Sequence, residues 1–117
     1  MKKNYIEITK HLSEGLSSLR TSIPNVAKGF SALAHSAIEI STLDKKAKEL
    51  IALAIGVTQQ CDGCIGFHVK ALVELGATRE EISDALGICI YMGGGPAFMY
   101  SSDALLAYDQ FTEELNK

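Results

Sequence analysis

Three side chains able to do thiol or imidazole chemistry lie close together near the middle of the chain. They fall in the segment Cys61-Asp62-Gly63-Cys64-Ile65-Gly66-Phe67-His68. Each residue of an α-helix turns the chain by about 100°, so with Cys61 at zero, Cys64 falls near ~300° and His68 near ~340°. The two thiols and the imidazole would then share one helix face. Apolar residues continue that face, so we expect the three groups to lie in a partly buried cleft.

This spacing suits the chemistry of an activated thiol. The thiolate is the nucleophile, so the pKa of the attacking cysteine must be lowered, and the first turn of a helix favours an anion. His68 lies one turn after Cys64 and can accept its proton. The other cysteine can then attack a sulfenic acid and close a disulfide. Because Cys64 is nearer to His68, we assign Cys64 as the attacking and Cys61 as the resolving cysteine.

Spacing alone leaves other interpretations open. Cys61, Cys64 and His68 could supply three ligands of a tetrahedral zinc site, which needs a fourth. The remaining candidates show no ligand spacing; they are His11, His35 and Cys89. A thioredoxin-like motif requires an adjacent βαβ unit, and the sequence shows no strand pattern. Cys89 falls on an apolar helical stripe, so we expect it to be a small buried side chain.

Glu49 is a candidate partner for the imidazole. It lies where a charged helical turn meets an apolar run, and taken alone it is best explained as an exposed glutamate paired with Lys45 or Lys46. If the third and fourth helical segments are antiparallel neighbours, Glu49 can instead approach His68. A carboxylate beside an imidazole fixes its tautomer and raises its basicity. Glu49, His68 and Cys64 would then form a proton relay.

Helical periodicity dominates the rest of the chain and predicts an all-α fold of about six helices. Pro24 indicates a break followed by a new helix, and residues 44–58 form the third segment. The fourth segment starts at Cys61 or Asp62 and ends at Gly76. Thr78-Arg79-Glu80-Glu81 has the capping-box pattern that opens the fifth. Residues 88–92 could form a strand instead, but the spacing favours a helix. Residues 93–96 end the fifth helix, and the last helix covers about residues 97–115.

Composition limits the function classes. The 117 residues predict a single domain over residues 1–117, and the formal charge of -3 argues against nucleic-acid binding. The N-terminal lysines precede no apolar run, so no signal peptide is expected. The longest apolar run, Leu50–Val57, is far shorter than the roughly 20 residues of a membrane span. We therefore expect a soluble cytoplasmic protein without a membrane partner.

The same apolar run predicts self-association. The residues LIALAIGV follow the charged start of the third segment and present no polar side. A helix that is apolar all round must be buried all round, and a chain of this length can hardly surround it. We therefore expect subunits to pack together around this helix as a homo-oligomer.

Three sequence blocks resemble the carboxymuconolactone decarboxylase family, and more closely its AhpD-type alkylhydroperoxidases. The blocks are Lys48-Glu49-Leu50-Ile51-x-Leu53-Ala54, then Glu49-x11-Cys61-x-x-Cys64-x3-His68, then Leu75-Gly76-Ala77-Thr78-x-Glu80-Glu81-Ile82. The match covers about residues 40–115. Lactone decarboxylase members lack the cysteine pair, so the pair argues against that activity here.

The resemblance implies an AhpD-like helical bundle that assembles as a homotrimer or homohexamer and reduces hydroperoxides, as an antioxidant enzyme without metal, haem or other cofactor. By that pattern Cys64 attacks the peroxide, Cys61 resolves it, and Glu49 and His68 form the proton relay. An external dithiol, in larger members a lipoyl protein, is the reductant. The fuller pattern has a second histidine where this chain has Gly63, so the relay is shorter. The other two functions that we weigh are a non-redox enzyme of the same fold acting on a lactone-type molecule, and a structural or zinc-binding oligomer.

Overall fold

The computed structural model describes residues 2–117 and is all-α over that part of the chain, which confirms the predicted fold class. Its six helices are α1 (Tyr5–Ser22), α2 (Pro24–Ile38), α3 (Lys45–Thr58), α4 (Asp62–Glu74), α5 (Arg79–Gly93) and α6 (Gly95–Leu115). None of these helices is both long enough and apolar enough to cross a bilayer.

The helices begin and end at the residues that capping chemistry predicts. The side chain of Asp44 accepts a hydrogen bond from the Ala47 amide and caps α3. Thr78 and Glu81 form the expected reciprocal capping box at α5. Gly76 follows α4 with φ of 79°, a backbone conformation that glycine adopts without steric cost.

The region of residues 88–92 is helical, as the spacing favoured, and not a strand. Helix α5 continues through it to Gly93, and Gly94 at φ 74° separates it from α6. Pro96 lies in the first turn of α6, where its missing amide hydrogen costs nothing. The last helix therefore starts at Gly95, two residues earlier than predicted.

The core lies among α3, α4, α5 and α6, with α3 packed against α4 along its length. Burying one large apolar side chain contributes on the order of 1.5–3 kcal/mol, so this cluster fixes how α3 and α4 face each other. Its fully buried large apolar members are Leu53, Val57, Ile65, Val69, Leu72 and Ile82.

Helix α1 covers α4 at two glycines. A Cβ atom at Gly66 would lie 2.5 Å from Cγ2 of Thr9, and one at Gly63 would lie 2.8 Å from Cδ1 of Leu12. A side chain at either position would therefore force the Thr9 or the Leu12 side chain to move. Gly63 is the position at which the resemblance expects a second histidine, and Leu12 of α1 occupies the space that a side chain there would need.

The apolar stripe of α2 is not buried within the subunit. Val26, Phe30 and Leu33 are 67%, 70% and 63% exposed, and no residue of α2 is buried. The outer face of α3 is also open, with Ile51 and Ile55 about half exposed. Only part of the apolar run of α3 is therefore covered by its own chain, which leaves the surface that the expected neighbouring subunit would need.

A strained turn connects α3 to α4. The Cys61 amide donates to the Gly56 carbonyl, and the Gln60 amide donates to the Val57 carbonyl, which is the Schellman arrangement. This arrangement needs a left-handed residue after the C-cap, and Gln60 adopts φ of 57° there. The turn places Cys61 at the N-cap of α4. It also holds Gln60 in a left-handed backbone conformation, which costs a residue other than glycine roughly 1–2 kcal/mol.

We predict that Gln60→Gly raises the free energy of unfolding by about 1 kcal/mol, because glycine adopts positive φ without the Cβ clash. Urea unfolding of the variant and the wild type measures the change. Gln60→Ala is the matched control, since alanine keeps the Cβ atom and should not gain this stability. Equal stability of Gln60→Gly and Gln60→Ala would show that the turn stores no such strain.

Candidate active site

The cysteine pair opens helix α4. Cys61 is the N-cap residue, and its Sγ accepts a hydrogen bond from the Cys64 amide at 3.1 Å. The two cysteines are joined in a disulfide with their Cα atoms 5.2 Å apart. Helix α4 thus starts at Asp62, one of the two predicted start residues, and Cys61 lies just outside it. The capping position brings its sulfur close to the free N–H groups of the first turn.

Cys64 is held against α3 by a glycine. A Cβ atom at Gly56 would lie 2.7 Å from the Cβ of Cys64, far inside contact distance. Only glycine at this position lets α3 approach the start of α4 so closely. Both cysteines remain partly accessible.

Glu49 and His68 meet between α3 and α4. Nδ1 of His68 lies 3.1 Å from Oε2 of Glu49, and the two residues come from neighbouring helices. A carboxylate only accepts hydrogen bonds, so when Glu49 is ionised and the imidazole is neutral, the ring hydrogen lies on Nδ1 and Nε2 keeps a lone pair. His68 follows Cys64 by one helical turn and so lies on the same face of α4.

The alternative of an exposed Glu49 paired with a neighbouring lysine is wrong. Glu49 is 4% exposed, while the side chain of His68 is 33% exposed. Lys46 instead bridges to Glu81 of α5, with Nζ 2.7 Å from Oε2. The predicted approach of Glu49 to His68 is therefore what the structure shows, because α3 and α4 are packed as neighbours.

The remaining cysteine and the two other histidines differ in their exposure to solvent. Cys89 is buried, as expected, with its sulfur 3.2 Å from Oγ1 of Thr58. His11 and His35 are exposed. Among residues 2–117 no group of three or more His, Cys, Asp or Glu side chains is placed to hold a metal ion.

Sequence analysis missed the surroundings of Asp62. The Tyr5 hydroxyl donates to Oδ1 of Asp62 at 2.8 Å, and Nζ of Lys3 donates to the same oxygen at 3.0 Å. Both partners come from the N-terminal segment, more than fifty positions away. A sequence pattern covers only a few neighbouring residues, so it does not indicate a contact between such distant positions. Lys3 resembles any other N-terminal lysine.

An open groove leads to the same part of the motif. It has a volume of ≈ 790 Å³ and reaches Asp62 and Gly63 from the side of α1. Ile8, His11 and Leu12 line it together with residues of the N-terminal segment. Small molecules can therefore reach the start of α4 from solvent.

Comparison with known proteins places this arrangement in a family. The profile of the carboxymuconolactone decarboxylase family matches residues 24–107. A solved apo structure of a family member from Legionella pneumophila is 49% identical, with a TM-score of 0.90 over 92% of this chain and 96% of that one. An uncharacterized protein of Cupriavidus necator is 40% identical over 86 residues, which are 74% of this chain and 76% of the relative.

Two further relatives are connected with oxidant defence. A family member from Thermotoga maritima, for which a part in the antioxidative response has been suggested, is 32% identical with a TM-score of 0.69 over 97% of this chain and 91% of its own. The alkyl hydroperoxide reductase AhpD of Mycobacteroides abscessus is 38% identical over 52 residues, only 44% of this chain and 30% of the reductase. With the profile spanning most of its length and the Legionella fold matched almost throughout, this chain belongs to the carboxymuconolactone decarboxylase family.

Proposed function

We propose that this protein is a thiol-dependent hydroperoxide reductase. The observation that carries the proposal is the buried Glu49 carboxylate hydrogen-bonded to His68, one helical turn from a Cys61–Cys64 disulfide. A cysteine pair at a helix start, with a base oriented by a carboxylate, has the parts that nucleophilic thiol chemistry needs. The similarity to part of an AhpD and to the Thermotoga maritima protein supports the same function.

The proposed cycle starts from the reduced pair. Nε2 of His68, oriented by Glu49, takes the proton of Cys64, and the thiolate attacks the terminal peroxide oxygen. The O–O bond breaks, which leaves a sulfenic acid on Cys64 and releases an alcohol or water. The Cys61 thiol then displaces water from that sulfenic acid and forms the disulfide.

An external dithiol completes the cycle. It supplies two electrons and two protons, reopens the disulfide and leaves as its own oxidised form. We assign the groove that reaches Asp62 and Gly63, the two residues between the cysteines, as the entry for such a reductant, and a lipoyl group is one dithiol of this kind. No metal, haem or other cofactor takes part in this scheme.

The first test is intact mass after one equivalent of cumene hydroperoxide, with no added reductant. Reduced wild type should lose about 2 Da, because the two thiols are oxidised to a disulfide. Cys64→Ser should keep its mass apart from the substitution, since the attacking sulfur is gone. Cys89→Ser is the matched control and should behave as the wild type.

Other outcomes would change the assignment. A wild type whose thiols react no faster than free cysteine is not a peroxidase. Turnover of a lactone that survives Cys64→Ser would favour a non-redox enzyme of the same fold. Zinc bound at one equivalent by the reduced protein would favour a structural metal site.

The relay predicts a specific effect of His68→Gln. Losing the base should slow alkylation of reduced Cys64 by iodoacetamide at neutral pH by about tenfold or more. His35→Gln is the control, because His35 is exposed on α2 and distant in sequence from the cysteines. Unchanged alkylation in His68→Gln would remove His68 from the mechanism.

We also propose that the protein works as a homo-oligomer, a trimer or a hexamer. Apolar surfaces are open on α2, on the outer face of α3 and around the junction of α5 and α6, where Tyr91 and Met92 are exposed. Exposed apolar patches of this kind mark interaction surfaces in soluble proteins. If the α2 surface of one subunit packs against the α3 surface of its neighbour, the contact is heterologous, and it gives a trimeric or hexameric ring when the rotation between neighbours closes.

Analytical ultracentrifugation at micromolar concentration should therefore show a single oligomer for the wild type. Phe30→Asp should shift the protein to smaller species, because it places a charge in the middle of the α2 surface. Lys28→Asp, a neighbouring polar position on the same helix, is the control and should stay assembled. A wild type that sediments as a monodisperse monomer would refute the proposal.

A further inference from the structure

We propose that Lys3 and Tyr5 act through the Asp62 carboxylate, Lys3 by neutralising its charge and Tyr5 by donating a hydrogen bond to it, and so keep the Cys61–Cys64 disulfide easy to reduce. This inference rests on one part of the proposed function, namely that the Cys61–Cys64 disulfide opens and closes. It concerns the stability of the reduced pair and makes no use of the peroxide step.

Asp62 is a carboxylate placed directly between the two cysteines. It is the first residue of α4, and its side chain is 38% exposed. Both donors converge on one oxygen, Oδ1, with the Tyr5 hydroxyl at 2.8 Å and Nζ of Lys3 at 3.0 Å. The charge that lies nearest to the cysteines in sequence is thus paired with a cation and a neutral donor.

Lys3 is anchored, which distinguishes it from a mobile surface lysine. Its Nζ also donates to Oδ2 of Asp103 at 2.9 Å and lies 4.8 Å from the centre of the Tyr100 ring. The Gln110 side chain accepts from the Tyr5 amide and donates to the Lys3 carbonyl, each at 2.8 Å. Helix α6 therefore fixes the N-terminal segment in the position from which it reaches Asp62.

Tyr5 serves as a neutral donor. Its side chain is completely buried, and burial together with the hydrogen bond to Asp62 raises the pKa of Tyr5 well above its usual value. The pKa of Lys3 is also raised: burial alone would lower it, but the hydrogen bonds to Asp103 and Asp62 outweigh that effect. The phenol stays protonated and the ammonium stays charged across the neutral range.

The consequence for the cysteines is electrostatic. The start of α4 carries a partial positive charge that favours a thiolate, and an unpaired carboxylate in the same turn would oppose it. Pairing Asp62 with Lys3 reduces that opposition. A more stable thiolate stabilises the reduced pair, and a stabilised reduced form has a higher reduction potential.

The test is the equilibrium of the intact protein with reduced and oxidised glutathione at about pH 8, where cysteine is already partly thiolate. In this exchange two glutathione thiols become one glutathione disulfide, and the protein disulfide becomes a dithiol. Alkylation and mass spectrometry measure the reduced fraction at each glutathione ratio. The variants are Lys3→Met, Tyr5→Phe, Asp62→Asn and the double variant Lys3→Met with Asp62→Asn.

Lys3→Met should lower the equilibrium constant for reduction about threefold, which corresponds to about 14 mV. Tyr5→Phe should act in the same direction, since the ring is kept and only the donor is lost. Asp62→Asn should raise the constant, because the charge is removed. In the Asp62→Asn background Lys3→Met should have no effect, which is the coupling expected if Lys3 acts through Asp62.

Lys46→Met is the matched control. It removes a lysine that also bridges two helices, at the opposite end of α3 from Cys61, and it should leave the potential unchanged. The inference would be overturned if Lys3→Met and the wild type had the same reduction potential. It would also be overturned if Lys3→Met had the same effect in the wild type and in the Asp62→Asn background. Shifted potentials without peroxide consumption would refute the peroxidase alone, and a wild-type disulfide that excess dithiothreitol does not open would refute both.

Discussion

The close approach of α4 to its two neighbours is the constraint on which the site depends. Gly56 brings α3 against Cys64, and Gly66 brings α1 against the next turn of α4. A Cβ atom at Gly56 would clash with the Cβ of Cys64, and one at Gly66 would clash with Cγ2 of Thr9. Helix packing of this tightness places Glu49 within hydrogen-bond distance of His68 and leaves the cysteines at an accessible helix start.

The site combines a buried part, the Glu49 carboxylate, with a partly accessible part, the cysteine pair. Glu49 is buried in the core side of α3, so the imidazole that it contacts is held in one orientation. The cysteines lie at the helix N-terminus beside an open groove, where free N–H groups and solvent access favour thiol exchange. In the proposed cycle this division would let His68 stay fixed while the sulfur bonds form and break.

The N-terminal segment adds to this site from outside residues 24–107, the part of the chain that the family profile matches. Lys3 and Tyr5 contact Asp62 of the cysteine motif from there. At Gly63, where the resemblance expects a second histidine, Leu12 of α1 occupies the adjacent space. The surroundings of the cysteine pair in this chain are therefore built in part from its own first helix.

The sequence by itself determined the helices and the chemical groups, because caps, glycine stops and 3.6-residue spacing act over a few positions. Capping by Thr78 and Glu81, the stop at Gly76 and the pairing of Cys61 with Cys64 are of this kind. Only the tertiary structure decided that Glu49 faces His68 and not a lysine, since both alternatives are open on an isolated helix. It alone also showed Lys3 and Tyr5 at Asp62 and the exposed stripe of α2, because contacts between distant segments leave no local pattern in the chain.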